Sequence, residues 1–452
     1  MENANVKQKL DSIISEMSSN YWLFTKNPGH DFMRQEAGKL SFEDTIRLVL
    51  SMDKGTTDSE LLDFFRMDAD RIPTQSAFIQ RRNQIPASTF EYLFKEFARS
   101  FPQTTNALKE KCVLAFDGTH IVYTTNAEIL QDYNKPRLID YKGYNHMHLN
   151  GFADVNSKAF LDVLIQPGQQ PDEREAMHTM LDHFKPDDPK DYIITADRGY
   201  ESYDMIFHCE SRGFYYCFRV KSPSSATSML SSYIRELPDD QEEFDVTIRT
   251  LYTDKRTKIM KEQEHVYHYI NPNKNVPHFY EMLKGRHLVY IAFRVLKIKT
   301  SDGIYEYIIT NLPNSFTPDD VKECYHMRWG LETAFRYLKH AAGLLYFHSK
   351  KPEFIKQEIY ARLVIYNLGV FLANEAADEN RHRKRKDGNK FKYEIDFSTA
   401  IRTALKYFRE YWDREPTGVI KLLSRYVHAV KDRFRSFARP LRGIGAINFN
   451  YR

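Results

Sequence analysis

Two aspartates stand where apolar runs give way to polar ones. Asp117 lies in LAFDGTH and Asp197 in TADRGY, each preceded by four or five largely apolar residues and followed closely by glycine. The pattern predicts carboxylates at strand ends beside a loop, although a single aspartate there is more often a turn former or a helix cap. A third acidic residue belongs to a more particular set. In FTPDDVKECYHMRWGLETAFRYLKHAAG, read as one helix at about 100° per residue, Tyr325, Arg328, Glu332 and Lys339 share a face about 60° wide. Cys324, Met327, Leu331, Ala334, Phe335 and Leu338 form the core-facing stripe beside it. Taken alone, Arg328 and Glu332 would be a surface i, i+4 pair worth about 0.3 to 0.5 kcal/mol. Together, two aspartates and a helix glutamate are oxygen-only ligands of the kind that Mg²⁺ or Mn²⁺ prefer. Three carboxylates can hold two such ions, which activate a water or a 3′-OH and stabilise the leaving oxygen during displacement at phosphorus. Arg328 and Lys339 would add charge-assisted contacts to flanking phosphates.

Holding these groups together requires strands and helices in a definite order. Residues 1–105 read as helical, with a capping-box-like start where Ser41 precedes FEDTIRLVL and Asp44 follows, and a second start at Thr57 before DSELLDFF. Pro73 introduces TQSAFIQRRNQI, a short helix ended by Pro86. Its polar groups, Arg81 and Arg82 among them, suit an element that reads a DNA groove, and an ordinary exposed helix fits the composition equally. From Lys111 the pattern changes to strands, CVLAFDGTHIVYT, HMHLNGFADV and AFLDVLIQPG, then strands alternating with helices through FYYCFRV. This order predicts an α/β fold with a mixed sheet flanked by helices. Residues 221–310 read as a β-rich inserted subdomain with no helix between its strands. One helix is expected from Pro318 to about Ala342, another from Glu353 to about Ala377, and more after the basic stretch ENRHRKRKDGNK.

The spacing Tyr325-x2-Arg328-x3-Glu332-x6-Lys339 resembles the Tyr-Arg-Glu-Lys signature of bacterial insertion-sequence transposases of the DDE class, in the branch named after insertion sequence 4. Asp117 within FDGTH is similar to the first catalytic aspartate of that family, and Asp197 within ADRGY to the second. The resemblance implies a ribonuclease-H-like catalytic core over residues 106–345, interrupted by the β-rich insertion at about 221–310. It implies flanking helical regions, a DNA-binding one at 1–105 and a basic C-terminal one at 346–452. By the same resemblance Asp117, Asp197 and Glu332 are the catalytic metal ligands for two Mg²⁺ ions, with Mn²⁺ able to substitute. Tyr325, Arg328 and Lys339 would contact transposon-end DNA near the cut, and Arg81 and Arg82 would lie in the terminal-repeat-binding region. The implied reaction is cut-and-paste transposition: hydrolysis at the element's end, then attack of the freed 3′-OH on the opposite strand or on target DNA. The implied partner is double-stranded DNA, as terminal inverted repeats and as target, bound by a homodimer for which Leu422 to Phe437 offer a candidate interface. Some members form a hairpin with a base flipped onto an aromatic side chain of the insertion. Here that region has no tryptophan, so Tyr305 and Tyr307 are the candidates, with half-buried sheet tyrosines as the alternative. Trp329 could stack on DNA or pack on a neighbouring loop.

Charge and composition fit this picture and exclude others. The net charge of +4 hides a split: residues 381–452 carry 19 Lys+Arg against 7 Asp+Glu, a net of +12, which leaves −8 for the remainder. A cationic end on an acidic chain suggests a polyanion contacted mainly there, with the arm from Arg381 to Lys392 on the phosphate backbone. The longest apolar run, Leu363 to Ala373, is far short of a membrane span. The N-terminus lacks the apolar core of a signal peptide, so a cytoplasmic protein without membrane contact is expected. The four cysteines are dispersed and read as reduced core thiols. His146 and His148 alternate on a strand and are read as structural, and no phosphate-binding loop is present. Two other functions stay open at this point: a transposase-derived DNA-binding protein without chemistry, and a ribonuclease-H-like nuclease that cleaves without joining.

Overall fold

The computed structural model describes residues 5–33, 40–101, 108–135, 143–264, 266–271, 275–301, 303–381 and 392–430. Five helices come first: α1 (Val6–Ser19), α2 (Phe42–Ser51), α3 (Thr57–Phe64), α4 (Gln75–Asn83) and α5 (Ala87–Arg99). Side chains of Asn5, Ser41, Thr56 and Thr74 cap the first four, and the Asn5/Gln8 and Ser41/Asp44 pairs close reciprocal capping boxes. The cap of α3 is Thr56, so Thr57 is already helical.

The sheet begins with β1 (Cys112–Tyr123), β2 (Tyr133–Asn134), β3 (Tyr144–Asp154) and β4 (Phe160–Pro167). Then come α6 (Glu173–His183), β5 (Tyr192–Ala196), α7 (Tyr203–Arg212) and β6 (Tyr215–Val220). The β-rich segment supplies β7 (Phe244–Thr253), α8 (Lys258–Glu262), β8 (Tyr267–Tyr269), α9 (Pro277–Leu283), β9 (Leu288–Ser301) and β10 (Ile304–Thr310). The chain continues through α10 (Pro318–Met327), α11 (Trp329–His340), α12 (Pro352–Arg381), β11 (Lys392–Ile395), α13 (Phe397–Glu410), α14 (Thr417–Leu423) and β12 (Val427–Val430).

Ten strands form one mixed sheet in the order β2-β3-β1-β5-β6-β10-β9-β7-β8, with β4 on β3. β4, β3 and β1 run antiparallel, β1, β5 and β6 parallel. β10 pairs antiparallel with β6, so the strands of the β-rich segment extend the same sheet. Two short helices, α8 and α9, separate those strands, contrary to the helix-free insertion expected. Alternation along β1 splits the core in two. Val113 and Ala115 pack in the cluster that contains α5, α11, α12 and α13, while Cys112, Leu114 and Phe116 pack with α6, α7 and α9.

Three other expectations change. The helix expected from 318 to 342 is two helices, because at Arg328 the backbone N–H bonds back only three residues, to Tyr325 (3.2 Å), as Leu331 does to Arg328 (2.9 Å). An i→i−3 step tightens the turn and breaks the α-ladder there. After Leu423 the described chain leaves the helix and forms β12, paired with β11, so the expected terminal helix through Phe437 does not continue, and residues 431–437 lie outside the described ones. Most of the basic arm, residues 382–391, lies outside them too. The polar break in the apolar run of α12 has a structural use: Asn367 accepts from the Phe160 N–H (3.1 Å) and donates to the Phe160 carbonyl (2.9 Å), acting as a strand partner for β4. Among the described residues no helix is long and apolar enough to cross a membrane. All four cysteines are buried and unpaired by disulfides.

Candidate active site

Asp117 lies inside β1 rather than at its end, opposite Gly151 of β3. What ends near it is the parallel pairing with β5, whose last paired residues are Ala115 and Thr195. Two residues further along both strands, Asp117 and Asp197 come level. Strand parity turns Asp117 to the face of Val113 and Ala115, where α11 packs. The Gly118 N–H donates to Asp117 Oδ1 (2.9 Å), and the Gly199 N–H donates to Asp197 Oδ1 (2.7 Å), which caps the turn Arg198–Tyr200.

Arg328, at the junction of α10 and α11, ties the third carboxylate to the first. Its Nη2 donates to Glu332 Oε1 (3.1 Å), and its Nη1 lies 3.7 Å from Asp117 Oδ2, with only 5% of its side chain exposed. Burial would lower its proton affinity, but Tyr325, Asp117, Glu332 and Asp197 outweigh it and raise the pKa. Asp117 is pushed up to about 6 by burial, against the pull of Arg328 and the Gly118 N–H, and Glu332 and Asp197 add to the rise. One guanidinium thus faces three carboxylates, an excess of two negative charges. An all-oxygen donor set with uncompensated negative charge fits hard divalent cations. Among the described residues the three carboxylates do not close into a cage with all ligand atoms within 4.8 Å. They spread around Arg328 instead.

The remaining expected site residues divide. Lys339 Nζ donates to Thr119 Oγ1 (2.6 Å), two residues beyond Asp117 on β1, which brings Lys339 to the site. Tyr325, expected to contact transposon-end DNA, is 2% exposed, and the Arg328 and Arg219 charges oppose the rise in its pKa that burial causes. Tyr325 shares the buried side of α10 with Val321 and Cys324, and its ring lies 5.5 Å from the Arg328 guanidinium. Trp329 is 43% exposed, and the same guanidinium sits 5.5 Å from its ring. Arg82, expected in the terminal-repeat-binding region, is buried and donates to Gln357 Oε1 (2.7 Å), the Phe354 carbonyl (2.8 Å) and Glu358 Oε1 (2.9 Å) of α12. Arg81 remains half-buried over the Phe32 ring at 5.1 Å. Tyr307 is buried in the sheet and bonds Asp239, while Tyr305 approaches Glu242 (3.5 Å).

Sequence reasoning missed Glu173, the first residue of α6. A Cβ built on Gly118 would lie 2.8 Å from Glu173 Oε1, and one on Gly199 3.6 Å from Glu173 Oε2, so this carboxylate sits between the glycines that follow the two aspartates. Gly118 is required here, because the same Cβ would fall 2.4 Å from His148 Nε2. Glu173 Oε1 lies 3.1 Å from His148 Nε2, and that contact, ahead of burial, lowers the Glu173 pKa. His148 and His120 meet at 3.5 Å between their Nδ1 atoms, with His146 beside them. In sequence Glu173 reads only as an acidic residue in a helix's first turn, which the helix dipole explains by itself. Tyr200, 3% exposed, closes the floor near Glu173, Asp117 and Asp197, whose charges add to burial in raising its pKa.

Residues 108–368 match the family described as Transposase DDE domain, and the chain belongs to that family. Among its relatives, the transposase for insertion sequence element IS231F of Bacillus thuringiensis subsp. israelensis is 24% identical over 266 residues, 53% of this chain and 52% of the relative. The transposase for insertion sequence element IS421 of Escherichia coli is 33% identical over 84 residues, 18% of this chain and 22% of the relative. The chain therefore aligns with about a fifth to half of the length of these relatives. A piggyBac transposase synaptic complex with hairpin DNA superposes with a TM-score of 0.42 at 10% identity, over 92% of this chain and 83% of that one.

Proposed function

We propose that this protein is a DNA transposase of the insertion sequence 4 branch, built on a ribonuclease-H-like core, that hydrolyses phosphodiester bonds at transposon ends and joins them to target DNA. The observation that carries the reading is the convergence of Asp117, Asp197 and Glu332 on one buried guanidinium at the place where β1 and β5 part. The strand order β4-β3-β1-β5-β6, antiparallel then parallel, supports the ribonuclease-H-like part.

Asp117, Asp197 and Glu332 would hold divalent ions, two Mg²⁺ by preference, with Glu173 a fourth carboxylate at the rim. When bound, such ions lower the pKa of an attacking water or 3′-OH and stabilise the leaving oxygen. The chain's own residues supply the rest. The Gly118 and Gly199 N–H groups fix one oxygen of each aspartate. Arg328 orients Glu332 and Asp117 and compensates part of the charge that would otherwise repel a phosphate. Lys339, held by Thr119, stands ready for a neighbouring phosphate as a point charge. Arg81 and Trp329 are the remaining candidates for DNA contact, and DNA would be bound by paired copies of the chain.

The test is incubation of the purified protein with Mg²⁺ and labelled duplexes carrying the sequences that flank its gene. Cleaved 3′-OH ends together with joined products support transposition. Cleavage without joining would assign a nuclease, and a gel shift without either would assign a DNA-binding protein without chemistry.

A further inference from the structure

Three histidines far apart in sequence meet behind the sheet. His178 of α6, His208 of α7 and His278 of α9 each place one ring nitrogen within 4.8 Å of the others. Their side chains are 12%, 0% and 7% exposed. Two carboxylates close the cluster: Asp182 Oδ1 lies 3.1 Å from His208 Nε2, and Asp204 Oδ2 lies 2.8 Å from His278 Nδ1 and 3.5 Å from His178 Nε2. Asp204 is fixed in turn by the His278 backbone N–H at 3.1 Å.

Proton bookkeeping shows what the cluster lacks. For neutral rings, satisfying the carboxylates puts a proton on His208 Nε2, His278 Nδ1 and His178 Nε2. His178 Nδ1 and His208 Nδ1 are then both lone pairs, yet they lie 2.8 Å apart. An extra proton between them would create a buried cation. His178 and His208, whose far nitrogens donate to carboxylates while their Nδ1 atoms meet without protons, have the arrangement in which histidine binds metal, and the His278 ring stacks on His208 with centroids 3.7 Å apart.

We propose that His178, His208 and His278 form a binding site for one Zn²⁺-class transition-metal ion, with a water in the fourth position, Asp204 orienting His178 and His278, and Asp182 orienting His208. Zinc takes nitrogen ligands at about 2.0–2.1 Å in tetrahedral sites, so the two Nδ1 atoms would part by about 0.5 Å on binding. The ion would clasp α9, from the β-rich segment, to α6 and α7 on the core, and α6 carries Glu173 at its other end. Spacings of 30 and 70 residues hide the site from motif reading. It is separate from the candidate active site, whose hard oxygen donors suit a different class of ion.

The full chain carrying Asp117→Asn, Asp197→Asn and Glu332→Gln, which removes the oxygen site, is stripped with a chelator and titrated with Co²⁺ alone. The expected result is one equivalent bound, with the visible ligand-field absorption of a four-coordinate ion, displaced by one equivalent of Zn²⁺. His208→Asn and His278→Asn should abolish the signal, and Asp182→Asn, which leaves every imidazole in place, should weaken binding about 10- to 100-fold. In the same chain without histidine changes, Zn²⁺ should raise the melting temperature and chelator should lower it. Absence of Co²⁺ uptake, uptake with only a six-coordinate spectrum, or a melting temperature indifferent to Zn²⁺ would overturn the proposal.

Discussion

Replacing Arg82 by alanine separates two roles that the sequence gives it equal claim to. Arg82 and Glu358 are 2% and 1% exposed, and the guanidinium makes three hydrogen bonds to α12. Burial would raise the Glu358 pKa, but Arg82 first and then His348 hold it at about 2. Removing one partner of such a pair leaves a buried charge without compensation and costs about 3–5 kcal/mol. His348, still bonded to Glu358 Oε2 at 3.1 Å, would absorb part of that loss, which favours the lower end of the range. Against a total stability of about 5–15 kcal/mol this is a large fraction, readable as a shift in urea midpoint at unchanged slope. Arg81→Ala, a few ångströms away on the same helix, should stay within about 0.5 kcal/mol of the parent. The double change Arg82→Met with Glu358→Leu should recover much of the loss, since apolar replacement of a whole buried pair is often neutral. A structural role for Arg82 is refuted if Arg82→Ala unfolds within about 1 kcal/mol of the parent while its DNA affinity drops.

Other expectations follow from the same network and from the site. His348 has its pKa moved by burial downward and, more strongly when taken together, by its hydrogen bond to Glu358 and the nearby Glu60 carboxylate (3.7 Å) upward, to about 9. A raised folded pKa means its contribution, about 3 kcal/mol, is complete below pH 6.5 and is lost as pH rises through 9. Urea unfolding at pH 7 and pH 10 should show that loss in the parent and not in His348→Gln. Gly118→Ala forces a methyl to within 2.4 Å of His148 Nε2, and His148, 2% exposed, has no room to yield. It should cost about 1–3 kcal/mol and impair cleavage, checked by thermal melts beside a nicking assay. Arg328→Lys keeps the charge but loses the fork that reaches both Asp117 and Glu332. Cleavage should fall while the gel shift on DNA is unchanged; an unaffected rate would remove Arg328 from the mechanism.

The fold and site were unevenly legible in the sequence. Local signals read well: the Ser41/Asp44 capping box and the apolar strands leading to Asp117 and Asp197 depend on neighbouring residues alone. The break at Arg328 did not, because the carboxylate that Arg328 reaches on β1, Asp117, lies 211 positions away in the chain. Arg82 looked like a surface residue because its partners lie 272 to 276 positions away. Continuity of the β-rich segment with the main sheet is likewise a long-range pairing, β10 on β6, that strand patterns cannot disclose. Glu173 carries no motif and acquires meaning only from the two glycines whose missing side chains admit it.

In the proposed mechanism Asp117, Asp197 and Glu332 act as one catalytic unit on DNA phosphodiesters. This is tested most directly by measuring Mg²⁺-dependent cleavage of the gene-flanking duplex by Asp117→Asn, Asp197→Asn, Glu332→Gln and the triple variant, each at matched DNA occupancy in gel shifts. Groups that work as a unit lose activity non-additively, so each single variant should fall as far as the triple, with binding retained. Cleavage that survives any one of these substitutions at near-parental rate would contradict the account.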